Sequence, residues 1–289
     1  MNNFNDLIKR LVKAFDVPNL DIPVSGIRIY KKDETVPEEV KKYQPDGIAI
    51  TSCHSIRTTM MGDAVYLTEH SIGCIAAAIS LGIVDKNKTS PLKGEREYTE
   101  IMRKSSGKGD SFIPPSPLEF ADGTVYAFKD SKKEDYALFG KKDSGRYITK
   151  DIARKALSEM LSLQPPLTQG VFYFSPDFEE VEISPDIVIL SLRPVELCRI
   201  IQGYQYITGN RVTANVGGLR AGCSDLIVRP YLLKEINFSP YCLGARLIAR
   251  FESDRLGMGF PFSFLETIVK GTEESKTGFP FPKYPGACL

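Results

Sequence analysis

Apolar positions open the chain at helical spacing. Phe4, Leu7, Ile8, Leu11, Val12 and Phe15 recur at steps of three and four among polar residues. That period predicts an amphipathic helix, with Asn3 or Asn5 able to cap it. The pattern then shortens. Residues 26–30 alternate as a strand, and Pro37-Glu38-Glu39 reads as a helix start, with Pro in the first turn and acids near the positive end. Residues 47–51 read as a buried strand, 53–60 as a short helix, and 64–67 as β-rich. Ser71 can cap a helix over 72–81 that Gly82 closes.

Residues 85–110 are polar and locally basic, with a short helix expected over 95–104. A hairpin is expected from 123–129 and 136–140. Thr149 can cap a helix over 151–163, which Pro165-Pro166 ends. Residues 171–175 and 187–192 are strands by their β-branched and aromatic content. Pro194 starts a helix through about 207, closed by Gly209. Further strands are expected at 211–216 and 245–251, and a last helix at 261–270. Helices and strands mix along the whole chain, so the expected class is α+β, or mixed α/β. One large domain spans 1–289, with two interleaved halves as the alternative arrangement.

Composition narrows the function classes. The chain has 289 residues, 42% hydrophobic and 25% charged, with a net charge of 37 − 36 = +1. Those values exclude a disordered chain and disfavour a dedicated nucleic-acid binder. The first residues carry no signal-peptide pattern. The longest nearly apolar stretch, 72–84, falls short of the ~20 residues a membrane helix needs. A soluble, cytoplasmic protein is expected, with no nucleic-acid or membrane partner. An enzyme of this size is often a homodimer. In a reducing cytosol the six cysteines are thiols or ligands rather than a disulfide framework.

None of Cys53, Cys74, Cys198, Cys223, Cys242 and Cys288 forms a C-x-x-C pair, so the common zinc and ferredoxin spacings are absent. Context separates them instead. Cys53 follows the predicted strand at 47–51. Cys74 and Cys223 are Gly-Cys steps, after Gly73 and Gly222, at loop-to-helix junctions. Cys242 lies in a turn before a predicted strand. Cys198 lies mid-helix among apolar residues and is expected to be a small core residue. Thiolates from distant segments could converge on an iron–sulfur cluster, with Gly73 and Gly222 letting the backbone approach it. The competing expectation is that these are inert buried thiols.

His54 and His70 each neighbour a cysteine and could supply a proton, or could be plain polar loop residues. Arg246 could bind a substrate carboxylate or phosphate, or pair with Asp225. Residues 106–111 lack the spacing of a phosphate loop, and Gly217-Gly218 with Gly222 is no dinucleotide fingerprint.

Three blocks resemble a known family. Cys53-His54-Ser55-Ile56-Arg57 continues through Gly62-Asp63 to Ser71-Ile72-Gly73-Cys74. Pro185-Asp186-Ile187 leads to Pro194 and Gly203-Tyr204-Gln205-Tyr206. Cys223-Ser224-Asp225 leads through Asn237-Phe238-Ser239 to Cys242-Leu243-Gly244-Ala245-Arg246 and Gly259-Phe260-Pro261. Over about 50–270 the chain resembles the domain of unknown function 169, DUF169, also called ArCR. That family has no agreed activity, and it looks typical of archaea and anaerobic bacteria. Cys53, Cys74, Cys223 and Cys242 fall inside the matching blocks; Cys198 and Cys288 do not. The resemblance therefore favours those four as metal ligands of an iron–sulfur protein, a redox or cluster-dependent enzyme acting on a small molecule. His70 and Arg246 are the candidate catalytic side chains, and Gly73 and Gly222 the cofactor-approach positions. Two alternatives stay open: a cofactor-free thiol enzyme with Cys74 or Cys223 as nucleophile, and a non-catalytic module that binds a small ligand.

Overall fold

The computed structural model describes residues 4–48, 50–83, 152, 155, 156, 159–163, 168–218 and 220–275. The opening periodicity forms α1 (Phe4–Ala14), which buries Phe4, Leu7, Ile8 and Leu11 and exposes Asp6, Lys9 and Lys13. There follow β1 (Val24–Lys31), α2 (Glu38–Lys41), α3 (Ser52–Thr59), β2 (Ala64–Thr68) and α4 (Ile75–Ser80). After the central segment come β3 (Thr168–Phe174), β4 (Ile187–Leu192) and α5 (Pro194–Thr208). A π-helix (Ala221–Val228) runs directly into α6 (Arg229–Leu233). Then come β5 (Asn237–Ser239), α7 (Leu243–Ile248), β6 (Leu256–Pro261) and α8 (Leu265–Ser275).

The strands form one antiparallel sheet in the order β2-β3-β1-β4-β6-β5. Side chains alternate between its faces. Tyr66, Phe172, Phe174, Val188, Leu190 and Phe260 meet α1, α5 and α8 in one core. Ile27, Ile29, Leu67, Val171, Tyr173 and Ile189 meet α3, α4, the π-helix and α7 in a second. Because helices cover both faces, the strands read as continuous apolar runs rather than alternating ones; residues 187–190 are completely buried. The fold is mixed α+β, as the sequence predicts.

Several predicted elements take other forms. The strand expected at 47–51 is reduced to one parallel bridge, Ile50 to Ile72, because α3 begins at Ser52 and Ile48 turns out to water. The strand expected at 211–216 is an irregular, largely exposed stretch, tied at Asn215 N–H to the Asn237 side chain at 2.9 Å. The strand expected at 245–251 is α7, where Leu, Ala and Arg favour helix and Arg250 at φ 55° prevents further extension. The last helix starts at Leu265, since Pro261 belongs to β6. The elements expected at 95–104, 123–129 and 136–140, and most of the helix at 151–163, lie outside the described residues.

Glu196 joins two elements at the start of α5. Its completely buried carboxylate accepts the backbone N–H of Arg193 at 2.7 Å and faces the buried Arg255 guanidinium at 3.4 Å. Arg255 in turn donates to the Ser191 and Asp21 carbonyls. Removing one partner of a buried ion pair leaves the other charge without compensation. Glu196→Ala is therefore expected to lower stability by about 3–5 kcal/mol in chemical denaturation. The exposed Lys41–Glu38 pair is expected to contribute less than about 1 kcal/mol by the same measurement.

Candidate four-cysteine site

Cys53, Cys74, Cys223 and Cys242 come from four separate segments and pack into the same apolar core, on the face of the sheet away from α1. Local structure explains the convergence. Thr51 caps α3 by accepting the His54 N–H at 3.1 Å, which sets Cys53 in the first helical turn. Gly73 N–H donates to the Ile50 carbonyl at 2.7 Å, next to the Ile50–Ile72 bridge. That backbone link holds the approach to Cys53 beside the approach to Cys74. Cys74 is the cap residue of α4, and Cys242 is the cap residue of α7. α7 and the π-helix both pack on α3, and the π-helix also packs on α4.

Cys223 is the third residue of the π-helix. An eight-residue run of this geometry is unusual, since π turns mostly occur singly, and they favour functional sites. Its entry residue, Arg220, has φ 56°, a left-handed conformation that costs energy for a side-chain-bearing residue. The Arg220 carbonyl accepts the Ser224 N–H at 2.7 Å and the Cys223 thiol at 3.7 Å. Gly222 presents bare backbone to the site: a Cβ there would stand 3.2 Å from Cys53 Sγ. Gly222→Ala is expected to change stability by less than about 1 kcal/mol while displacing the Cys53 sulfur. Its denaturation midpoint and the alkylation rate of Cys53, each against the wild type, check the two parts.

The electrostatics are those of crowded thiols. Cys53, partly buried, is hydrogen-bonded to Cys242 and feels the charges that Cys242, Cys223 and Cys74 would carry; with desolvation these push its thiol well above the ordinary range. Burial, then Cys74, pushes Cys223 up to about 12, against a lowering by Arg220. Each thiolate thus opposes the next. A bound cation reverses that balance, because thiolate ligands are deprotonated by the metal they hold.

Tyr173 and Ser52 complete the buried wall. Tyr173 lies on β3 in the same core as the cysteines, with its hydroxyl 2.8 Å from Ser52 Oγ. Burial raises the Tyr173 phenol, and Cys223, Cys53 and Cys74 raise it further. Asp225, two residues after Cys223, is pushed up to about 7 by burial, with Cys242 adding to the shift. It accepts the Gly217 N–H at 3.3 Å. Neither Tyr173 nor Ser52 stands out in sequence. The only signal is a hydroxyl-bearing residue between Phe172 and Phe174, and a serine next to Cys53.

The other sequence candidates lie elsewhere or are engaged. Arg246 does not pair with Asp225. Its guanidinium donates to the carbonyls of Pro240, Glu252 and Arg255 and lies over the Tyr241 ring, which braces the loop after Cys242. The His70 side chain is three-quarters exposed and sits 3.6 Å from Glu69. His54 Nδ1 contacts Thr51 Oγ1 at 3.2 Å. The Gly73 amide is committed to Ile50. Cys198 is on α5 as expected but is exposed, not a core residue, because its position on the helix lies off the face that buries Leu197 and Ile200. Cys288 lies outside the described residues.

The donor set suits a soft, thiophilic group: four sulfurs and no competing carboxylate directly among them. Among the described residues, no three His, Cys, Asp or Glu side chains are gathered closely enough to hold one metal ion. A tetrahedral ion at Zn–S distances of 2.3 Å draws its sulfurs to about 3.8 Å from each other. An iron–sulfur cluster spaces its thiolates more widely, since each binds a different iron.

Comparison with known proteins gives the chain's family. The family model described as DUF169, uncharacterised ArCR, matches residues 19–271 and so takes in all four cysteines. The chain belongs to the DUF169 family. An uncharacterised protein of Methanocaldococcus jannaschii is 20% identical over 270 residues, covering 93% of this chain and 94% of the relative. No solved structure matches. Among the described residues of this DUF169 protein, no helix is long and apolar enough to cross a membrane.

Proposed function

We propose that this DUF169 protein is a cytoplasmic iron–sulfur protein in which Cys53, Cys74, Cys223 and Cys242 supply the thiolates, and that it is a redox or cluster-dependent enzyme acting on a small molecule. The observation that supports this reading is the packing of four thiols, from four distant segments, against one core on one sheet face, Cys223 buried and the other three partly so. Clustering makes each of these thiols harder to ionise, because the charged forms repel. Clustered thiolates become favourable when a cationic centre neutralises them. When bound, the cluster would supply an electron-accepting and electron-donating centre. The chain's own residues hold the sulfurs, exclude water and brace the loops around them, with Arg246 fixing the segment after Cys242.

A cofactor-free thiol enzyme with Cys223, rather than Cys74, as nucleophile is less well supported. A nucleophilic cysteine needs a lowered pKa, whereas burial raises the Cys223 thiol to about 12. Purification under strict anaerobiosis, followed by iron and acid-labile sulfide analysis, tests the proposal. Coloured protein with iron and sulfide in cluster stoichiometry is expected. Colourless protein that stays metal-free after anaerobic reconstitution would sink the reading.

A further inference from the structure

Two of the four thiols are held against each other by more than core packing. Cys53 stands in the first turn of α3, Cys242 is the cap residue of α7, and α7 packs on α3. Their thiols are in hydrogen-bonding contact. The two segments are also tied outside the sulfurs. Arg57, one turn along α3 from Cys53, pairs with Glu252 at 2.7 Å. Arg246 donates to the Glu252 carbonyl and, at 2.7 Å, to the Pro240 carbonyl. Those contacts clamp the chain on either side of α7 onto α3. Tyr241, immediately before Cys242, has φ 64° and is buried in a ring stack with Phe251, centroids 4.1 Å apart. A left-handed residue fixed by its packing sets the direction in which the chain enters Cys242. Neither Cys53 nor Cys242 is fully buried, whereas Cys223 is buried and directs its thiol to the Arg220 carbonyl.

We infer that Cys53 and Cys242 form a reversible disulfide when the protein meets a small disulfide oxidant, which makes the pair a redox-modification site. This goes beyond the iron–sulfur reading, because it concerns the two thiols themselves. One thiol loses its proton and attacks a sulfur of the oxidant R–S–S–R. A mixed disulfide forms, and the first R–S⁻ leaves and takes up the proton. The second thiol, deprotonated in turn, attacks the protein sulfur of the mixed disulfide and releases the second R–SH. Overall one S–S bond breaks and one forms, and two electrons and two protons pass from the pair to the oxidant. Sulfurs already in contact close to a bond by side-chain rotation, without separating α3 from α7. The oxidised pair offers no thiolate at positions 53 and 242, so the disulfide and a four-thiolate centre exclude each other.

The test uses full-length wild-type protein, metal-free and shown to be folded by circular dichroism. It is incubated with oxidised glutathione, alkylated, and mapped by mass spectrometry of unreduced tryptic peptides. A parallel sample is oxidised while unfolded in guanidinium. In the folded protein, free thiols should fall from six to four per chain. Peptide 43–57 should be linked to peptide 235–246, and dithiothreitol should release them. The unfolded sample should give a mixture of pairings. Glutathione adducts without the link, a link through Cys74 or Cys223 in its place, or the same mixture from both samples would overturn the inference. Iron and sulfide uptake by the reduced protein is measured alongside. Protein that forms the link but takes up neither supports the inference and overturns only the iron–sulfur reading. Protein that loads when reduced, yet forms no link when metal-free, overturns the inference alone.

Discussion

Gly259→Ala is expected to destabilise the protein by about 3 kcal/mol or more, at or above the upper end of ordinary overpacking. The reason lies in how the π-helix meets the sheet. A Cβ on Gly259 would stand 2.1 Å from the Leu226 carbonyl oxygen and 2.8 Å from its carbon. Those are backbone atoms of the segment that carries Cys223, so a rotamer change cannot relieve the contact. Either β6 separates from β4 or the π-helix moves off the sheet. For a domain of this size, a loss of about 3 kcal/mol corresponds to a fall in Tm on the order of 10 °C. Gly257→Ala gives an internal comparison. Its new Cβ would lie 2.4 Å from Leu226 Cδ1, the end of a flexible side chain, and 2.9 Å from the Tyr241 ring. A smaller loss is expected there. Differential scanning calorimetry of both variants checks the order, and equal losses would show that the backbone approach at Leu226 is not the controlling contact.

Single serine replacements at Cys53, Cys74, Cys223 and Cys242 are expected to abolish or severely deplete iron and sulfide, each to a similar extent. A ligand set acts as a unit, because losing one thiolate leaves an iron open to solvent and oxidation. The Cys198→Ser variant is expected to match the wild type, since Cys198 is exposed on α5, away from the four-cysteine core. The folding effect should run differently. Serine at Cys223 exchanges a thiol for a more polar hydroxyl in a largely apolar core, with the Arg220 carbonyl and the Ser80 hydroxyl as its polar neighbours. A cost of about 1–3 kcal/mol is expected in the metal-free protein by denaturant titration. Depletion at only one of the four positions would point instead to a single reactive thiol.

Much of this was readable from the chain, and the failures have physical causes. The helical stripe of α1 and the Pro194 start and Gly209 stop of α5 are local signals, and both elements formed close to their predicted bounds. β6 was hidden because Gly257 and Gly259 look like strand breakers. They are required where the Leu226 backbone presses on the sheet, a contact between segments more than thirty residues apart in sequence. The helix start at Gly222-Cys223 was legible, but not its π form, since the i→i+5 pattern leaves no distinct hydrophobic period. α7 resembled a strand because six residues are too few for periodicity to separate the two forms. Placement at element ends separated the four positioned cysteines from Cys198, and the structure packs them together. The sequence also suggested His70 and Arg246 on adjacency alone. The fold turns the first to solvent and spends the second on backbone carbonyls. Tyr173 and Ser52 were invisible because only β3 packing under α3 brings their hydroxyls together.

The most direct test of the four-thiolate centre is iron anomalous diffraction from crystals grown anaerobically. The account predicts a strong iron peak enclosed by the Sγ atoms of Cys53, Cys74, Cys223 and Cys242, with each sulfur bonded to iron. Iron bound elsewhere, or four unligated thiols in crystals of reconstituted protein, would contradict it.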